Sequence, residues 1–229
     1  MTFELSSESL AARDRARALG QLVRNQAAAI DRGAAVPAEL ANQVAALTSR
    51  DPLTMVVVVE EIAVGSAAVA AELVARPDGP RLGLSGMRGA RALDDTPLSQ
   101  LALAALALGI GRAALESVLD EVRQASTTPD EVEKPRWLVA DVATDLDAAR
   151  MLTYKAAGTT STADIALARL LASAAAQRAV DAAVRVAGAN ALAEGSALER
   201  LSRDVRVLSV LLGTEERHRT IAAEGLLPR

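Results

Sequence analysis

Apolar residues recur along this chain at helical spacing over long stretches, broken by glycine, proline and short polar runs. Over residues 4–30, Leu5, Leu10, Leu19, Leu22 and Val23 fall among alternating charges, which predicts a first helix. Arg32-Gly33 ends it, and Pro37 opens a short second helix over 37–47. Asp51-Pro52 has the form of an N-cap followed by proline at the first helical position, and a third helix is expected from there to about Val74. The β-branched run 55–59 could pass for a buried strand, but the length of the segment and the Glu60-Glu61 pair favour helix.

Residues 76–97 break the pattern. Pro77, Gly79, Pro80, Gly83, Gly86 and Gly89 predict a loop or extended connector and mark a boundary between two parts. A long apolar helix follows over 98–123, then a polar turn over 125–133, then helices over 134–157, 163–187, 197–210 and 215–223. Gly158 and Gly188 stand where helix stops are expected. The pattern predicts an all-α protein: an N-terminal helical segment (1–75), a connector (76–97) and an up-down helix bundle (98–229).

Composition narrows the function. The chain has 229 residues, 51% of them apolar but only 1% aromatic (Phe3, Trp137 and Tyr154), so alanine and leucine supply the core and helices can approach closely. A net charge of −4 without a basic block, together with so few aromatics, argues against nucleic-acid binding. With no cysteine and a single histidine, thiolate chemistry and an imidazole-rich metal site are excluded. The longest apolar runs, 53–59 and 101–110, are too short to span a bilayer, and the N-terminus carries Glu4 and Glu8 rather than an apolar leader core. No membrane partner and a cytoplasmic location are expected.

The order of motifs carries a resemblance. Leu108-Gly109-Ile110-Gly111 precedes Ala113-Ala114-Leu115-Glu116; residues 138–154 form a second helix; Ala168-Arg169 and residues 175–187 form a third. Then comes LERLSRDVRVLSVLLGT over 198–214. This succession resembles the C-terminal helical domain of acyl-CoA dehydrogenases. Glu60-Glu61-Ile62-Ala63 with Gly65-Ser66-Ala67-Ala68 is similar to the end of that family's N-terminal helical domain. Leu82-Gly83-Leu84 and Leu93-Asp94-Asp95-Thr96-Pro97 look like a remnant of its middle β domain. A barrel does not fit between Val74 and Leu98, so the resemblance implies that the middle domain has been lost.

The resemblance also assigns positions. A glutamate directly before the Gly-Thr pair is the family's base for the substrate α-proton; here Leu212 stands there, with no lone pair to accept a proton. Some members carry the base near the position of Ser99, and serine is a poor base without an activating partner. Glu215 and Glu216 lie close by, but as first-turn acids behind a Thr214 cap they suit the helix end. The family's flavin contacts correspond to Gly188, Gly213 and Thr214, one glycine surviving of the Gly-rich segment. The segment whose arginine contacts the flavin diphosphate of a neighbouring subunit should fall near 125–129, and nothing like it is present. FAD is thus implied by resemblance, whereas the chain by itself is expected to hold none.

Other candidates have plainer readings. Arg203, Asp204 and Arg206 are expected to make ion pairs between helices, His218 to be solvated, and Trp137 to lie in the core or an interface. Asp141, Asp145 and Asp147 suit a solvated or interface face better than a metal site. Three functions stay open: a non-catalytic acyl-CoA dehydrogenase-like protein acting as a dimer, a tetramer or a partner of a full-length dehydrogenase subunit; a flavin-dependent subunit active only in a heteromeric complex; or a binder of an apolar or acyl ligand in a cavity around 102–111.

Overall fold

The computed structural model describes residues 5–124 and 129–227. Among them are nine α-helices: α1 (Ser7–Asp31), α2 (Ala38–Ala45), α3 (Pro52–Ala63), α4 (Ala67–Ala71), α5 (Pro97–Gln124), α6 (Pro129–Thr159), α7 (Thr162–Ala187), α8 (Ala197–Leu208) and α9 (Glu215–Leu226). A 3-10 turn, Ala189–Leu192, links α7 to α8. The described residues hold no strand, only an isolated antiparallel bridge between Arg81 and Arg91. The segment where the resemblance places a β domain is therefore a strap with one pinched hairpin.

Capping residues explain the starts. Asp51 accepts from the Thr54 amide at 2.8 Å, with Pro52 in the first turn, as expected of this pair. The third segment does not run unbroken to Val74. It stops at Ala63, and the Ser66 hydroxyl accepts from the Val69 amide to cap a separate helix. Gly65 stands at the break, and a Cβ there would collide with the backbone oxygen of Gly20, so the close approach of α1 requires glycine here. The polar turn expected over 125–133 is shorter, since α6 already begins at Pro129; residues 125–128 lie outside the described set. Gly188 ends α7 with φ 77, as expected. Gly158 does not end α6. The helix runs one residue past it and Thr160 takes the left-handed turn at φ 50.

The core is built around α5. Residues 101–108 and Ile110 are all fully buried or nearly so, enclosed by α3, α6 and α7. By length and composition α5 could cross a membrane, but its faces are taken by these helices. Its small residues permit contact at backbone range. Gly109 faces Ala63 and the Glu60 carbonyl, and Gly111 sits on Leu146 and Ala176. Around 102–111, glycine and alanine draw the helices together.

Helix α1 shows the same economy. Its buried face is Ser9, Ala12, Ala16, Gly20, Val23, Ala27 and Ile30, while Leu10 and Leu22 face solvent. Trp137 is also not in the core: it is 62% exposed, on the same outer face of α6 as Thr144 and Met151.

Charges buried between α3, α5 and α6 are paired. Glu60 Oε1 accepts from Arg112 at 3.2 Å and Arg150 at 2.9 Å, and Oε2 from the Tyr154 hydroxyl at 3.3 Å. Burial alone would raise the Glu61 carboxyl, but hydrogen bonds from Arg112 and Arg17 outweigh it and leave the group below its ordinary range. Burial beside Glu60 drives Tyr154 well above the ordinary phenol value.

Candidate functional site

Leu212 lies in the turn between α8 and α9, with φ 59, a left-handed conformation that a non-glycine residue rarely takes. Gly213 follows at φ 124. The turn is held by its neighbours. Gln100, in the first turn of α5, donates through Nε2 to the Leu212 carbonyl at 2.9 Å and to Asp95 Oδ1 at 2.7 Å. Arg217, in the first turn of α9, donates through Nη1 to the same carbonyl at 3.0 Å and through Nη2 to Asp95 Oδ2 at 2.7 Å. Asp95, Gln100, Arg217 and the Leu212 oxygen thus close a ring that joins the strap, α5 and α9.

Ser99 adjoins Gln100, so the fold brings the family's two base positions into one region. Neither offers a base. Leu212 is aliphatic, and the Ser99 hydroxyl is buried and paired with Thr96 Oγ1 at 2.9 Å. Asp95 is a carboxylate beside the turn, but the hydrogen bonds from Gln100 and Arg217 occupy both oxygens and hold its carboxyl below the ordinary range. Such a group is a weak proton acceptor. Glu215 is bound by Arg219 at 2.6 Å, and Glu216 is exposed in the first turn of α9. Thr214 takes the N-cap position, although its side chain makes no capping hydrogen bond to the backbone.

Beneath the turn lies a polar group that sequence reading did not single out. Arg169 of α7 is 2% exposed and donates through Nη2 to the carbonyls of Leu208 (3.1 Å) and Leu211 (3.0 Å). Its Nε and Nη1, the Gln100 Oε1 and the His218 Nε2 are buried without a hydrogen-bond partner among the described residues. Burial pulls Arg169 down to about 10 and lowers the imidazole of His218, where Arg169 and Arg217 add to the effect. His218 is therefore not solvated; at 5% exposure it is one of two buried residues on α9, with Ala222 four positions on. That i,i+4 pairing was the available signal, as was an arginine set between Ala168 and Leu170-Leu171 in α7.

The residues corresponding to flavin contacts are not brought together. Gly213 and Thr214 lie near Arg169, whereas Gly188 ends α7 on the order of 28 Å further along the helix at about 1.5 Å per residue. The space beside Gly213 is filled by Arg217, whose Cδ would lie 2.9 Å from an added Cβ. Arg203 makes the expected ion pairs, with Asp31 and Glu199. Asp204 does not pair with a cation. It is 3% exposed and accepts from the Met87 amide of the strap, and burial raises its carboxyl to about 6. Arg206 is exposed. Asp145 and Asp147 are bound by Arg178 and Arg150, and the described residues contain no cluster that could hold a metal.

Comparison with known proteins agrees with this architecture. The C-terminal domain of acyl-CoA dehydrogenases matches residues 88–227. An acyl-CoA dehydrogenase of Bacillus subtilis (strain 168) is 32% identical over 159 residues, 66% of this chain and 42% of the relative. Cyclohexane-1-carbonyl-CoA dehydrogenase of Geobacter metallireducens is 30% identical over 159 residues, with the same coverage, 66% and 42%. The chain thus spans about two fifths of the length of these curated relatives, 42% in both cases. Among solved structures, butyryl-CoA dehydrogenase from Megasphaera elsdenii shares the fold with a TM-score of 0.86 at 16% identity, over 100% of both chains. The FAD complex of PigA does so with a TM-score of 0.79 at 14% identity, over 99% of both. The chain belongs to the acyl-CoA dehydrogenase family, whose C-terminal helical domain it carries.

Proposed function

We propose that this chain is a non-catalytic acyl-CoA dehydrogenase-like protein that works by assembly, as a homo-oligomer or as the partner of a full-length dehydrogenase subunit. One observation carries the reading: at the turn where the family places its base, Leu212 has no proton acceptor, and the nearby Asp95 is already bound on both oxygens. General-base catalysis contributes about 10²–10⁴-fold, and nothing at this turn replaces it. The residues present do not fit a flavin held by one chain, since Arg217 fills the space at Gly213 and Gly188 is remote from it. The strap at 76–97 stands as the remnant of a lost β domain. The outer face of α6, with Trp137 and Met151 exposed, supports assembly through that helix.

The test is the purified protein alone. It should be colourless, should form no enoyl thioester from acyl-CoA with a dye acceptor, and should run as a dimer or tetramer by light scattering. Stoichiometric flavin with turnover would overturn the reading. A second reading, a flavin-dependent subunit completed by a heteromeric partner, is favoured by the unpartnered polar atoms of Arg169, Gln100 and His218 under the turn. It requires activity on co-expression with a partner that carries the glutamate.

A further inference from the structure

A cavity lies away from the Leu212 turn. The end of α1, the link to α2, α2 itself, α4 and the strap enclose an open cleft of about 870 Å³, within the size range of small-molecule sites. None of Asp95, Ser99, Gln100, Arg169, Leu212 or His218 lines it. Its floor is apolar: Ile30, Val36, Val44, Val69 and Leu73. An apolar hollow of this size loses dispersion contacts on every lining side chain unless something fills it.

The rim is cationic. Arg32, Arg81, Arg88 and Arg91 line the cleft against two carboxylates, Asp31 and Glu72. Glu72 is saturated by Arg91, accepting its amide at 2.9 Å and its guanidinium Nε at 2.7 Å. Asp31 is taken on both oxygens by Arg203, at 3.2 and 2.6 Å, leaving Arg88 at 3.8 Å. Arg81 is tied only to the Gly89 carbonyl, and Arg32 has no side-chain hydrogen bond among the described residues. Among the described residues, Arg32 and Arg81 therefore line the cleft without a carboxylate partner, while Arg88 donates to the Ser85 carbonyl at 3.2 Å and shares Asp31 with Arg203.

We infer that this cleft binds an anionic amphiphile, with an apolar chain along the floor and a carboxylate or phosphate head on Arg32, Arg81 and Arg88. Guanidinium is the donor best matched to either head. The inference does not depend on the chain being non-catalytic, because the cleft shares no residue with the Leu212 turn.

Calorimetry on the full chain, with probes below their micelle-forming concentration, tests it. Dodecanoate or dodecyl phosphate should bind one per chain, the tighter of the two identifying the head. Dodecanol and dodecyltrimethylammonium should bind at least about ten-fold more weakly. The double variant Arg32→Glu, Arg81→Glu, both positions exposed, should weaken anionic chains by at least about ten-fold and leave dodecanol unchanged. Ala41→Trp, exposed on the cleft wall, should abolish binding of every chain while circular dichroism shows the fold intact. Equal affinity for anionic and neutral chains, no effect of the arginine changes, inorganic phosphate binding as tightly as the chains, or no binding at all would each overturn the inference.

Discussion

Gln100 and Leu212 stand 112 positions apart in sequence and are joined by a 2.9 Å hydrogen bond from the Gln100 amide to the Leu212 carbonyl. The same nitrogen reaches Asp95, so one side chain fixes the start of α5, the end of the strap and the turn before α9. Gln100→Leu removes a donor from both acceptors and should destabilise the fold by about 1–3 kcal/mol. Arg217→Ala acts on the same two acceptors. The double variant should therefore depart from additivity by at least about 0.5 kcal/mol in urea denaturation.

Leu212→Glu restores the family's carboxylate at a half-buried position in a left-handed turn. Folding should survive, because the side chain can reach solvent. Neither visible flavin absorbance nor acyl-CoA oxidation should appear, since Arg217 still occupies the space at Gly213. Turnover by this variant alone would overturn the proposal that one chain holds no flavin.

Asp204 should write itself into the pH profile. Its folded carboxyl titrates at about 6 against an ordinary 3.8, so over about pH 4–6 the folded chain keeps a proton that the unfolded chain has released. Its contribution to stability is complete below that window and falls as pH rises through it, by up to about 3 kcal/mol. Asp204→Asn keeps an acceptor for Met87 and carries no charge. It should remove this slope and be at least as stable as the parent at pH 7.5. His218 slopes the other way: its depressed imidazole contributes above about pH 6.5 and is lost on acidification. The comparison of parent with variant isolates the Asp204 part.

Gly20 tests the crossing of α1 over α3. A Cβ there would stand 2.5 Å from the Glu61 carbonyl oxygen, which belongs to helix backbone and cannot yield cheaply. Gly20→Ala should cost about 1–3 kcal/mol despite alanine's better helix propensity. Gly33→Ala meets no neighbour and isolates the penalty of φ 99 alone.

Arg112 serves Glu60 at 3.2 Å and Glu61 at 3.1 Å or closer, both carboxylates being under 5% exposed. Arg112→Leu leaves them short of charge and should destabilise by about 3–5 kcal/mol, read as a lowered urea midpoint with unchanged slope.

The helices and the strap were legible because breakers and caps are local. Asp51-Pro52 and Gly188 do in the fold what their chemistry requires alone. The break carries a local signal, Gly65 followed by the Ser66 cap, but the approach of Gly20 that requires the glycine, 45 positions earlier, was not legible. At the turn, the aliphatic side chain of Leu212 could be read directly, as could the placing of Glu215 and Glu216 in the first turn of α9. The ring through Asp95, Gln100 and Arg217 could not, since each member sits on a different element. His218 was hidden by its charged neighbours, although Ala222 marks the same inward face. The arginine-rimmed cleft draws on four separate segments, none unusual alone.

The hairpin in the strap has a consequence for how this architecture changes over time. Leu82 donates to Ala90 at 2.7 Å and Ala92 to Pro80 at 2.8 Å, so the chain leaves and returns through adjacent doors. The stretch 83–85 beyond them is exposed. A whole folded module could be spliced in or cut out at that seam, its two ends already side by side, without any helix changing place.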